Sequence, residues 1–361
     1  MIDLPTSARL YLRPVQFADT PVNRDGEVAR LAGGLNWFAG YEIIAVESGK
    51  RVLQQTVAVA ELPDDERLQA IAARIIAPRA ALQLGERVIR MDQPQVMGIL
   101  NVTPDSFSDG GKHIADPAGA AQAGTDMAVA GAAILDIGGE STRPGAADVW
   151  EGDEIARTTP AIERLSRSGA AVSIDTRRAA VMEAALTAGA HLVNDVAALL
   201  YDERALDVVV KAGCPVVLMH SPDPAKSPHG GNGYGDVLIE VYDWLEARVN
   251  AVAAAGVDRA RILIDPGLGF GKNLQDNLAL LNGLALFHGI GCPIVLGASR
   301  KRMIGALSNE APAEARLGGS VALALKGADL GAQLIRVHDV FETVQALRVW
   351  RGLRDAALIA R

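Results

Sequence analysis

The strongest constraint on this chain's fold is a rhythm. From residue 95 onward, short runs rich in Val, Ile and Leu alternate with helical stretches, and the runs break off into polar residues. The strand candidates are residues 95–100, 134–137, 171–175, 191–194, 216–219, 262–264, 294–296 and 334–337. Near-continuous apolar runs suit strands buried on both faces, as in parallel sheets. Helical patterns follow them, for example over 118–130, 181–188, 237–255, 274–287 and 341–353. Eight such units within the roughly 250 residues typical of the fold predict a (β/α)8 TIM barrel over residues 89–361. A doubly wound sheet also alternates in this way, but no GxGxxG follows the first strand.

Residues 1–88 break the rhythm. Strands are expected over 8–14, 40–46 and 52–60, and a helix over 64–76 that Pro78 ends. This predicts a small α/β appendage without a chemical constellation. Residues 87–91 and 95–100 are expected to pair as strands leading into the core. Of the 361 residues, 49% are apolar but only 4% aromatic, which favours helices around a parallel sheet over an all-β fold. A net charge of −8 argues against a nucleic-acid partner. No apolar run reaches the roughly 18 residues needed to span a bilayer, and Met1-Ile2-Asp3 starts no signal peptide, so a cytoplasmic protein with no membrane partner is expected. Cys214 and Cys292 each lie between a glycine and an apolar strand, without metal-ligand spacing, and are expected to be buried and reduced.

In a barrel, polar residues at strand C-termini converge on one face. Here they are Asn101, Asp136 to Glu140, Asp175, Asn194, His220, Asp265, Ser299, Arg336 and His338. Any one of them fits a capped turn or a satisfied buried polar group; eight strand ends all carrying them do not fit turns alone. Carboxylates this deep need N–H-rich or cationic partners. Lys301 could satisfy one, and the remainder suits a flat heterocycle with several N–H donors. Ser299-Arg300-Lys301-Arg302 and Arg336-Val337-His338 lie at the ends of the last two strands, where such barrels often bind phosphate. The mouth is therefore expected to be bipolar, acidic and amide on one side and cationic on the other. His113, His229 and His288 read as ordinary surface residues.

Seven motifs at strand ends carry a resemblance: NVTPDSFSDGG from Asn101, GGESTRPG from Gly138, SIDT from Ser173, NDV from Asn194, DPGLGFGK from Asp265, GASRKRMIG from Gly297 and RVHDV from Arg336. Together they make residues 95–353 closely resemble the dihydropteroate synthase family of folate biosynthesis. The resemblance implies a transferase in which para-aminobenzoate displaces pyrophosphate from hydroxymethyl-dihydropterin pyrophosphate. It places the pterin against Asp175, Asn194, Met219, Asp265 and Lys301, and the diphosphate against Asn101, Arg336 and His338. It gives Asn101 a magnesium ion (Mg2+) and the aminobenzoate a pocket of Phe107, Thr142, Arg143, Pro144, Phe270 and Ser299. Asp109, Arg143 and Lys301 take the catalytic roles by charge stabilisation, with no activated Ser, Cys or His required. A sulfonamide-sensitive homodimer joined through the later helices is implied. The loop after His220, Ser221-Pro-Asp-Pro-Ala-Lys-Ser-Pro-His-Gly-Gly, departs from the family's Gln-Gly pattern, and the appendage is absent from short members. A pterin-dependent methyltransferase would not need the loops starting at Asn101 and Glu140. A non-catalytic paralogue would have lost one of Asn101, Asp109, Arg143 or Lys301, all present here.

Overall fold

The computed structural model describes residues 4–102, 117–140, 148–231 and 233–359. The chain opens with an antiparallel sheet in which β1 (Arg9–Ala18), β2 (Ala29–Arg30) and β4 (Lys50–Ala58) all pair with β3 (Trp37–Glu47). Helix α1 (Glu66–Ile76) starts where the Asp65 carboxylate accepts from the Arg67 and Leu68 amides. Its apolar stripe, Leu68, Ile71, Ala72 and Ile75, has helical spacing and packs on Leu10, Leu12, Phe38, Ile43 and Ala45 of the sheet. Each fully buried Leu or Ile there contributes roughly 1.5–3 kcal/mol.

Strands β5 (Leu82–Leu84) and β6 (Arg87–Ile89) form a hairpin turned at Gly85, whose φ is +61°. The expected pairing of residues 87–91 with 95–100 is therefore corrected. β6 folds back on β5, while both edges of the next strand, β7 (Gln95–Asn101), are taken by other barrel strands.

The remaining elements alternate as the rhythm predicts. They are α2 (Pro117–Ala130), β8 (Ile134–Gly138), α3 (Glu151–Arg167), β9 (Val172–Asp175), α4 (Ala179–Thr187), β10 (Leu192–Asp195) and α5 (Ala205–Ala212). There follow β11 (Val216–Met219), α6 (Val237–Ala254), β12 (Ile262–Asp265), α7 (Leu274–Asn282), β13 (Val295–Leu296), α8 (Arg302–Leu307), α9 (Leu317–Asp329), β14 (Leu334–Val337) and α10 (Val340–Ala357). Strands β7 to β14 form one parallel sheet in chain order, with β14 returning to β7. A parallel bridge from Ile264 to Ile294 joins β12 to the start of β13 and closes the ring. This is a (β/α)8 barrel. The helix expected over 274–287 ends instead at Asn282, and a 3-10 segment (Leu284–Ile290) follows Gly283.

The barrel interior is layered by the two-residue period of its strands. Met97, Ile134, Ala171, Leu192, Val217, Leu263, Val295 and Leu334 form an apolar floor, which Leu82, Leu84, Ile89 and Met91 of the hairpin region close from below. The appendage is sewn to the barrel flank. Tyr11 and Ile44 join the barrel's main apolar cluster, Tyr11 donates 2.8 Å to Asp243, and Arg51 pairs with Asp236 at 2.6 Å. Arg79, buried beyond α1, donates to the His288 carbonyl at 3.1 Å. His288 is thus no surface residue: it is fully buried, with Nε2 3.0 Å from the Leu330 carbonyl. His113 lies outside the described residues. Cys214 and Cys292 are free and buried, and burial pushes both thiols up to about 11. Among the described residues no helix is long and apolar enough to cross a membrane.

Candidate active site

Two positions above the apolar floor, the same inward periodicity delivers Ile99, Asp136, Ser173, Asn194, Met219, Asp265, Gly297 and Arg336. One further step up come Asn101, Gly138 and Asp175. The interior therefore changes from apolar to acidic and amide within one layer, at the C-terminal end where such barrels carry their chemistry.

Arg336 is the hub. Its Nε donates to Asp136 at 2.6 Å and its Nη2 to Asp175 at 2.6 Å, across strands far apart in sequence. Asn194 adds a donor to Asp136 at 2.9 Å. Burial alone would lower the Arg336 guanidinium, but Asp136 and Asp175 hold it above its ordinary range. Burial pushes the Asp175 carboxyl upward against the pull of Arg336. Asp265 is likewise raised by burial, while its Oδ1 accepts from the Gly267 amide at 2.7 Å. Arg336 is the cation bonded directly to Asp136 and Asp175, while Lys301, expected to satisfy one carboxylate, acts through its charge on Asp265 and Asp175. The Lys301 ammonium lies 4.3 Å from the centre of the Phe270 ring, and burial lowers it to about 8.

At the expected bipolar mouth, cations on the last two strand ends are paired with carboxylates. Arg300 pairs bidentately with Asp339, and Arg336 turns inward between carboxylates. Arg300 itself takes φ +56°, a left-handed position that an Arg adopts only when its surroundings impose it. The Ser320 hydroxyl accepts its amide at 2.9 Å, and Arg316 donates to its carbonyl at 2.9 Å. The resulting turn presents Ser299 and Lys301, and Ser299 Oγ lies 3.0 Å from His338 Nδ1. Ser299 and His338, read from sequence into separate subsites, are therefore neighbours.

Met219 and Phe270 share a small apolar cluster with Val196 beside this network. The loop carrying Phe270 is pinned by Lys272, whose ammonium donates to His220 Nδ1 at 2.9 Å and to the Gly267 and Phe270 carbonyls at 3.0 and 3.1 Å. Burial, with the Lys272 charge beside it, lowers His220 to about 3, and burial lowers Lys272 to about 7. Gly267 tolerates no side chain: at φ +68°, a Cβ would meet the His220 carbonyl oxygen at 1.9 Å. Asn101 ends β7, and a Cβ placed on Gly138 would meet its Oδ1 at 3.8 Å, in ordinary van der Waals contact.

Of the sequence-derived site residues, Asn101, Asp175, Asn194, Met219, Asp265, Phe270, Ser299, Lys301, Arg336 and His338 all lie at this mouth. Phe107, Asp109, Thr142, Arg143 and Pro144 lie outside the described residues. Asp136 reads from sequence as one of the strand-end carboxylates suited to a flat N–H-rich ring, but the family resemblance leaves it out of the pterin set, although its inward register two residues above Ile134 marks it. Sequence reasoning passed over Lys272, and it read His229 as a surface residue, whereas its ring stacks on Phe270.

Comparison with known proteins follows the same outline. A family model described as "Pterin binding enzyme" matches residues 97–338. Dihydropteroate synthase of Escherichia coli (strain K12) is 45% identical over 262 residues, covering 72% of this chain and 91% of the relative. The structure of Xanthomonas albilineans dihydropteroate synthase with 4-aminobenzoic acid superposes with a TM-score of 0.72 at 47% identity, covering 76% of this chain and 98% of that one. Yersinia pestis dihydropteroate synthase in complex with a sulfonamide drug gives a TM-score of 0.71 at 43% identity, covering 76% and 99%.

Proposed function

We propose that this chain, which belongs to the pterin-binding enzyme family and within it to the dihydropteroate synthases, seats its pterin on Asp136, Asp175, Asn194, Met219, Asp265 and Lys301. The enzyme is a transferase that condenses hydroxymethyl-dihydropterin pyrophosphate with para-aminobenzoate in folate biosynthesis, releasing pyrophosphate. The observation that carries the pterin seat is the Asp136–Arg336–Asp175 bridge, with both contacts at 2.6 Å. It keeps carboxylate oxygens at the floor of the mouth beside an ionised guanidinium. A flat ring with several N–H donors needs such acceptors, because a donor left unpaired on burial costs about 1–3 kcal/mol. Lys301 supplies a donor for a ring oxygen or nitrogen, and Met219 an apolar wall.

The remaining N–H groups of Arg336, together with His338 and Asn101, support a diphosphate seat at the rim. There they stabilise charge on the departing pyrophosphate, the usual largest contribution in such sites. The C–O bond to pyrophosphate breaks, the leaving group keeps the electron pair, the aniline nitrogen bonds to the methylene carbon, and its proton passes to solvent. The aniline is already a competent nucleophile. Asp109 and Arg143 take their charge-stabilising roles by sequence match, as Phe107, Thr142 and Pro144 take theirs in the aminobenzoate pocket beside Phe270 and Ser299.

Magnesium fits this arrangement as an ion arriving on the diphosphate. Among the described residues no group of three or more His, Cys, Asp or Glu could hold a metal. Asn101 Oδ1 is a hard oxygen donor at the C-terminal end of β7, and magnesium favours one or two protein oxygens plus phosphate. When bound, it would neutralise charge on the leaving group. A homodimer is supported by the small residues of α9, Gly318 to Ala324, and by Phe341, Val349 and Leu353 exposed on α10. A cytoplasmic location follows from the substrates of the pathway. Purified protein incubated with the pterin pyrophosphate, para-aminobenzoate and magnesium should form dihydropteroate and pyrophosphate in equal amounts; no product would refute the assignment.

A further inference from the structure

The loop between β11 and α6, where this chain departs from the family pattern, is built rather than loose. The Lys226 and Ser227 amides donate to the Asp223 carbonyl at 3.1 and 2.8 Å, and the Gly230 amide to the Ser227 carbonyl at 3.2 Å. The His229 amide is 3.4 Å from Ser227 Oγ, and the buried Ser221 hydroxyl donates to the Val196 carbonyl at 3.3 Å. The loop packs backbone to backbone on the one after β12. At Gly271, φ +59°, a Cβ would lie 2.4 Å from Pro222 Cγ and 2.6 Å from the Gly230 carbonyl oxygen. This close approach sets the imidazole of His229 parallel to the Phe270 ring, at 8° and 5.1 Å between centroids.

We propose that His229 is a positioning residue for the arylamine substrate: by stacking on Phe270 it fixes the ring that walls the aminobenzoate pocket. The inference rests on the assignment of Phe270 to that pocket. Phe270 touches Met219 and Val196 and carries the Lys301 ammonium above its face, so its orientation is set by contacts from three elements. His229 is the contribution of the divergent loop. It acts through Phe270, while Asp136, Asp175 and Asp265 are held by Arg336, Asn194 and the Gly267 amide. Its effect should therefore fall on arylamines, including sulfonamides, before it falls on the pterin.

The test is steady-state kinetics on the full chain with pterin pyrophosphate, para-aminobenzoate and magnesium, comparing parent, His229→Ala, His229→Phe and Phe270→Ala. Loss of an aromatic pair corresponds to about a 2- to 12-fold change. His229→Ala should raise the KM for para-aminobenzoate and the inhibition constant of a sulfonamide by that factor, with kcat and the KM for pterin pyrophosphate unmoved. His229→Phe, which keeps a stacked ring, should restore both. An unchanged aminobenzoate KM in His229→Ala, a parallel rise in both KM values, or failure of the Phe variant to rescue would overturn the proposal. If Phe270→Ala raises the aminobenzoate KM while His229→Ala does not, only the role of His229 falls. If Phe270→Ala also leaves it unchanged, the pocket assignment falls with it.

Discussion

Replacing Arg336 by Met would remove a cation that two buried carboxylates share. Both contacts are 2.6 Å, and the Asp136 and Asp175 side chains are 0% and 14% exposed. Breaking a buried ion pair by deleting one partner costs about 3–5 kcal/mol, because the other charge is left uncompensated. The Asp175 carboxyl, which burial already pushes upward against the pull of Arg336, has one escape, which is to bind a proton. Its folded pKa then rises further above the unfolded value, so the folded state holds more protons than the unfolded one. Stability of the variant must then increase as pH falls, by roughly 1.4 kcal/mol per pH unit while that proton is taken up. Urea unfolding followed by tryptophan fluorescence at pH 8 and pH 5.5 measures this. The variant should lose about 3–5 kcal/mol against the parent at pH 8 and clearly less at pH 5.5. Arg336→Lys, which keeps the charge but cannot span both partners, should fall between. A loss under about 1 kcal/mol at pH 8, or an equal loss at both pH values, would refute the hub role of Arg336.

The fully buried His288 is lowered to about 3, chiefly by burial, so the folded state resists a proton that the unfolded chain accepts near 6.5. That stability is present above pH 6.5 and is lost as pH falls toward 3, amounting to about 2 kcal/mol between pH 7 and pH 5. His288→Gln should lose about that much less than the parent over the same interval in paired urea titrations; equal losses would show that His288 charges freely. Removing residues 1–79 would uncover the barrel surface that Tyr11 and Ile44 cover and delete the Arg79 contact to His288. The shortened chain should melt at lower temperature and precipitate more readily, and an unchanged melting curve would mean the appendage is merely tethered.

The barrel was readable in the sequence because strands buried on both faces must be apolar runs, and each ends where its chain reaches the mouth. The hairpin at Leu82–Ile89 was not. Its strands are three residues each, too short for a period, so residues 87–91 looked like a partner for β7. Residue types at strand ends announced the site's chemistry, but not its wiring. Arg336 lies 200 residues from Asp136 and 161 from Asp175, and only ring closure brings them together. The same limit hid the pairing of Arg300: Asp339 follows His338 directly, yet nothing local says that it faces Arg300. His288 looked exposed because it follows a helix, whereas the appendage and the Leu330 carbonyl enclose it.

The proposed pterin seat is the acid and amide ring of the mouth. Calorimetric titration of hydroxymethyl-dihydropterin pyrophosphate into the parent, Asp175→Asn and Asp265→Asn measures it directly, without turnover. Each variant exchanges a carboxylate acceptor for an amide of the same shape, so about 1–3 kcal/mol should be lost, roughly 5- to 150-fold in Kd. Melting curves run alongside should show both variants folded. Weakening in both variants is the predicted result, and pterin affinity equal to the parent's in both would contradict the account.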